Sequence, residues 1–141
     1  MNDGFFAKFN SRSPKDAYGY DGQNEIVKAK FHETLDIIKS QNGNEHATIN
    51  DALIAWYVAT AKLLKMTSGS DVIKIFARSF RCLEDLQGTL RLGEEYMDIS
   101  IAIRKWNDYV PVTPHGEYRC FVHDKKMNAI TQYLSSFLFF Q

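Results

Sequence analysis

Apolar and polar positions along the chain follow two different periods, and the change between them predicts the elements. Phe5-Phe6-Ala7-Lys8-Phe9 is aromatic-rich and stops at Asn10-Ser11-Arg12-Ser13-Pro14, which predicts a short strand bearing Lys8 and then a loop that turns at Pro14. From Asn24 to Lys39, Val27, Phe31, Leu35 and Ile38 recur at steps of four and three, one face of an amphipathic helix that ends in Gln41-Asn42-Gly43-Asn44. Thr48 and Asp51 have the spacing of a capping box. The helix they open, over 48–65, carries Ile49, Leu53, Trp56, Thr60, Leu63 and Leu64 on one face, with Leu53, Trp56, Thr60 and Leu63 expected inward. Thr67 to Asp71 reads as a turn, Val72-Ile73-Lys74-Ile75-Phe76 has the composition of a strand, and Ser79 can cap a third helix with Leu83, Leu86 and Leu90 on its inner face, ending near Gly93.

The last third has a period of two. Met97, Ile99, Ile101 and Ile103 alternate with Asp98, Ser100, Ala102 and Arg104, which predicts a half-buried strand. Tyr118, Cys120 and Val122 alternate with Glu117, Arg119, Phe121 and His123, and Met127, Ala129, Thr131 and Tyr133 alternate with Asn128, Ile130 and Gln132. Asp124 to Lys126 lies between these runs, so an antiparallel hairpin turning there is expected. There is no internal repeat or linker, and the fold class is α+β in one domain over 1–141: an antiparallel sheet through 97–133 with helices packed on one face.

The 141-residue length suits one domain, and 45% hydrophobic residues with 13% aromatics are too apolar for a disordered chain. Lys plus Arg and Asp plus Glu are both 17, with no block of like charge, so no nucleic-acid or acidic-membrane footprint is present. Cys82 and Cys120 form no C-x-x-C pair and read as reduced thiols. The N-terminus lacks a secretory pattern, and the longest apolar run, Ala52 to Ala61, is about half of the roughly 20 residues a spanning helix needs; the expected setting is cytoplasmic, with no membrane partner.

Signatures of P-loop, dinucleotide-binding, zincin and α/β-hydrolase proteins are absent, and the His115, Cys120 and His123 spacing fits no zinc pattern. These three read as a loop residue, a core thiol and a surface histidine. What remains is a set of cations on expected strands, Lys8, Arg104, Lys105 and Arg119. They could be solvated edge residues or a phosphate clamp, since Lys supplies a point charge and Arg a planar fork.

Two stretches resemble a known family. Phe6-Ala7-Lys8-Phe9-Asn10-Ser11-Arg12-Ser13-Pro14-Lys15-Asp16-Ala17 is similar to the lysine-bearing strand and S-x-P-[KR]-D-A loop of the cell division cycle protein 123 family, whose members have an ATP-grasp fold. Ile103-Arg104-Lys105-Trp106, then Gly116-Glu117-Tyr118-Arg119-Cys120-Phe121-Val122, then Ala129-Ile130-Thr131-Gln132, resembles the family's L-R-K-W … E-F-R-C-F-V … I-S-Q run in order and spacing. The resemblance implies that Lys8 reaches the phosphates of ATP, that Lys105 and Trp106 belong to the linker strand whose backbone meets the adenine, and that Arg119 faces the phosphates. It further implies an assembly factor for eukaryotic translation initiation factor 2 that holds one protein subunit, with a carboxylate–amine ligase fragment and an interaction module that binds no nucleotide as alternatives.

Residues 24–95 carry no motif that aligns. In the family, Mg²⁺ is held by an Asp and a later D-x-N-P-F run, and the sequence reaches Gln141 before any such segment. Tyr133 to Phe140 therefore reads as the place where a longer domain is cut, and the expected fold is ATP-grasp-like and incomplete at its C-terminus. With only a few exposed cations and no metal ligands, each worth about 1 kcal/mol at physiological salt, ATP affinity is expected near 1 mM, about −4 kcal/mol.

Overall fold

The structure is a computed structural model that describes residues 4–18, 24–43, 45–93, 98–108 and 117–132. Strand β1 (Phe5–Phe9) opens the fold and helices α1 (Glu25–Asn42), α2 (Ile49–Lys62), α3 (Gly69–Arg78) and α4 (Phe80–Leu92) follow. Strands β2 (Ile101–Lys105), β3 (Tyr118–His123) and β4 (Lys126–Gln132) complete an α+β arrangement. The strands make two two-stranded antiparallel sheets, β1–β2 and β3–β4, instead of the single sheet the alternation suggested. Alternation defines which face a residue takes within a strand but not which strand it pairs with, and β2 finds its partner at the other end of the chain.

β1 starts tightly. Its Phe5 exchanges two backbone hydrogen bonds with Met66, of 2.8 and 2.9 Å, at the end of the α2 segment. Gly4 makes this approach possible: its φ is +68°, and a Cβ there would lie 2.7 Å from Lys65 Cε and 3.2 Å from the Met66 carbonyl oxygen. The core forms against one face of β1, from Ala7, Phe9, Ala17, Leu64, Met66, Ile75, Phe76 and Cys82. Phe9 meets Phe76 edge-on at 4.6 Å between ring centres.

Local capping sets the ends of the first two helices. Asn24 accepts from the Ile26 N–H, Gly43 ends α1 in the left-handed region at φ 65°, and Thr48 and Asp51 close a reciprocal capping box on α2. The buried face of α2 is different from the expected one. Asp51, Ala55, Val58 and Ala59 are buried and Trp56 is half-buried, edge-on to Phe31 of α1, while Ile49 and Leu53 are exposed. Small Ala55 and Ala59 allow a closer approach than the bulky stripe would. Asp51 tolerates burial because its carboxylate accepts from the Thr48 N–H and hydroxyl and from Asn42.

Val72–Phe76, expected as a strand, lies inside α3. Ser68 and Asp71 form a capping box, so the apparent turn is a helix start, and Val72, Ile75 and Phe76 then fall at helical spacing toward the core. Ser79 caps α4 by accepting from the Cys82 N–H, and Gly93 follows its last turn. The inner face of α4 carries Cys82 and Asp85, whereas Leu83, Leu86 and Leu90 point outward. The loop after β1 docks on the Cys82 side and thereby decides which face is covered.

β2 begins at Ile101, and Met97 of the expected strand lies outside the described residues. Ile101 and Ile103 sit opposite Phe9 and Ala7, on the core side as the alternation requires, but stay 51% and 65% exposed because β2 is the outer strand. The hairpin turns through Asp124 and Lys125, whose φ values of 49° and 59° are those of a type I′ turn. A bulge then pairs Phe121 with Ala129 and Val122 with Met127, leaving Asn128 as the extra residue. Met127 therefore joins Val122, Cys120 and Ile130 on one face instead of sharing a face with Ala129 and Thr131. Tyr133 lies outside the described residues.

Candidate functional site

The register of β1–β2 places the expected site residues on two faces. Phe6 is opposite Arg104 and Lys8 opposite Ala102, so half-buried Lys8 and exposed Arg104 are diagonal neighbours on one face, where the paired positions supply no carboxylate. Like charges across a ladder are destabilising by a few tenths of a kcal/mol or more unless an anion lies between them. Lys105 is opposite Phe5 and belongs to the other face. Trp106 follows, half-buried against the core, with its indole N–H donating to Asp108 at 2.8 Å and its backbone N–H to the Gly4 carbonyl at 3.2 Å. Among the described residues β2 has no strand on its outer edge.

Arg119 lies on β3, opposite Thr131, and so belongs to a different sheet from Lys8. Arg104, one of the strand cations but not among the residues given a role by the resemblance, is the one that shares the Lys8 face. Its place depends on register with a strand over ninety residues earlier, which the sequence alone does not display. Cys120, expected as a core thiol, is exposed on β3, His123 is a surface residue, and His115 lies outside the described residues.

The loop after Lys8 is held at nearly every residue. Asn10 donates to the Asp98 carbonyl at 2.7 Å and accepts from the Ser100 N–H at 3.2 Å. Ser11 donates to Asp85 at 2.5 Å, and Arg12 pairs with Asp85 at 3.0 Å and with Glu84 at 3.3 Å. Pro14 is fully buried. Asp16 accepts from the Ser79 hydroxyl at 2.5 Å and from the Arg81 N–H at 3.1 Å, adding a carboxylate to the α4 N-terminus, where the helix dipole favours negative charge. Lys15 reaches Glu117, the residue before β3, at 3.5 Å, and the Tyr57 hydroxyl donates to the other oxygen of the same carboxylate. The stretch 10–17 is thus a junction between β1, the lead into β2, α4 and the base of β3.

Burial alone would raise the Asp16 pKa, but the hydrogen bonds from Ser79 and the Arg81 backbone outweigh it and hold the carboxyl below its ordinary value. A depressed carboxylate contributes stability that is present above the unfolded-state pKa and is lost as pH falls through the folded one. Asp16→Asn is therefore expected to cost about 1 kcal/mol near neutrality, with the difference from wild type closing between about pH 5 and pH 2. Urea unfolding at several pH values measures it, and a pH-independent difference would contradict the role of the charge. The buried Cys82 thiol beside this junction is pushed above its ordinary pKa by desolvation and by the nearby Asp16 and Asp85 carboxylates, which keeps it protonated and unreactive.

An open groove of about 450 Å³ runs along α1, lined by Glu25, Ile26, Ala29, Lys30, Glu33 and Leu63. It contains none of the four expected site residues, and its charges are already paired, Lys30 with Glu33 and Glu25 with Lys28, which leaves no cation to receive a polyphosphate. No group of three or more metal-ligating side chains gathers among the described residues, and no described helix is long and apolar enough to cross a membrane.

The described residues thus define an α+β arrangement with two cations on one face of its β1–β2 sheet. Residues 45–140, more than two thirds of the chain, match the D123 family. The chain belongs to that family, the family of cell division cycle protein 123. The match takes in α2 to α4, which carry no family motif readable in the sequence, and begins after β1 and α1. No curated protein and no solved structure matches the chain.

Proposed function

We propose that the protein is an ATP-binding assembly factor, acting on eukaryotic translation initiation factor 2 by holding one of its subunits and so serving translation initiation and cell-cycle progression. The observation that carries the reading is the pair of cations, Lys8 and Arg104, on a sheet face where, among the described residues of β1 and β2, no carboxylate matches them, within a chain of the D123 family. A polyphosphate supplies the missing negative charge. In this reading Lys8 and Arg104 hold phosphate oxygens, the backbone at Lys105 and the Trp106 ring meet the adenine, and Arg119 adds a third cation from β3. Bound ATP, with Mg²⁺, contributes the charge that makes close approach of these cations favourable.

The test is capture of translation initiation factor 2, whole and as separate subunits, on the immobilised chain with and without Mg·ATP. One subunit should bind, more tightly with Mg·ATP, and Lys8→Ala should remove at least tenfold of that enhancement. Binding indifferent to both nucleotide and Lys8→Ala would leave an interaction module, and no binding at all would defeat the assembly role.

A further inference from the structure

The two stretches that carry the family resemblance meet at one side chain. Glu117 stands directly before β3 and two residues before Arg119, and successive odd positions of a strand share a face. One of its carboxylate oxygens pairs with Lys15, 102 residues earlier in the chain, and the other accepts from Tyr57 on α2. Its side chain is only 27% exposed, and its two oxygens are engaged by residues of two different segments, the loop after β1 and α2. A half-exposed ion pair contributes little stability, at most about 1 kcal/mol. Two attachments in different directions nevertheless restrict how a strand can lie, and a residue that leads directly into a strand transmits that restriction to the whole hairpin.

We propose that Glu117 is a positioning residue: by bridging Lys15 and Tyr57 it seats the β3–β4 hairpin against the β1 loop, and so sets Arg119 relative to the Lys8 and Arg104 face. Seating stands on the contacts alone, whereas its effect on ligand rests on the nucleotide reading above. The alternative role is a surface contact that adds a little stability and leaves the hairpin where it is.

The experiment places one spin label on the exposed Cys120 and a second at the exposed start of α2 through Ile49→Cys, since buried Cys82 resists labelling. The unmodified background should give one narrow distance distribution. Glu117→Ala should broaden it, and Glu117→Gln, which still accepts from Tyr57, should restore most of the narrow peak, with Tyr57→Phe falling between. An unchanged distribution in Glu117→Ala, in a variant whose circular dichroism matches wild type, would overturn seating. In Mg·ATP titrations Glu117→Ala should weaken binding several-fold, the double variant with Arg119→Ala should be no weaker than Arg119→Ala alone, and the effect of Lys8→Ala should multiply with either. Independent, multiplying losses for Glu117 and Arg119 would overturn the transmission to Arg119. If wild type binds no Mg·ATP the nucleotide reading fails, and the label distances still decide the seating.

Discussion

Met66→Ala should destabilise the protein by about 3 kcal/mol and lower its melting temperature by roughly 10 °C, the largest single effect expected from a core substitution here. Met66 is fully buried and heads the largest fully buried side chains. It sits where the chain leaving α2 forms a bridge to Phe5, so its thioether fills the space between β1 and the helices while its backbone holds the start of β1. Truncation forfeits the transfer free energy of the side chain and leaves a cavity that the paired backbone cannot easily collapse into. Met127→Ala is the matching control. Met127 is 61% exposed on the hairpin, and its loss should cost less than about 0.5 kcal/mol. Equal effects of the two substitutions in urea unfolding would contradict the placement of the core.

Arg12→Ala should cost about 3 kcal/mol, for a different reason. Asp85 is 3% exposed, and its carboxylate is neutralised by Arg12 and hydrogen-bonded by Ser11. Removing the guanidinium leaves a buried carboxylate with a single hydroxyl partner, and uncompensated buried charges of this kind cost several kcal/mol. The double variant Arg12→Ala with Asp85→Asn should recover a large part of the loss, because an amide needs no counter-ion. No recovery in the double variant would show that Arg12 acts through packing of its aliphatic stem instead.

Local features were readable from the sequence and long-range pairings were not. The Thr48 and Asp51 box, the Ser79 cap, the Gly43 stop and the 124–125 turn are each set by residues within a few positions of one another. Val72–Phe76 misleads because five residues are too few to separate a period of two from 3.6, and the β-branched composition tilts the balance toward a strand. The Ser68 and Asp71 spacing that reveals the helix start resembles a turn when seen alone. The faces of α2 and α4 depend on what covers them. Asp85 is an improbable core residue until Arg12, more than seventy positions earlier, arrives to neutralise it. For the site, the motif stretches single out Lys8, Lys105, Trp106 and Arg119, but only the β1–β2 register shows that Arg104, not Lys105, shares the Lys8 face. Asn128 gives no local warning of the bulge that reverses the parity of β4.

The most direct measurement is a titration of the isotopically labelled chain with Mg·ATP, followed through its amide signals and repeated with Lys8→Ala and Arg119→Ala. The proposed reading predicts saturable shifts concentrated at Phe6 to Asn10, Arg104 to Trp106 and the start of β3, with a Kd of about 1 mM that weakens at least fivefold in each variant. Shifts confined to the α1 groove, or wild-type binding that neither substitution changes, would contradict it.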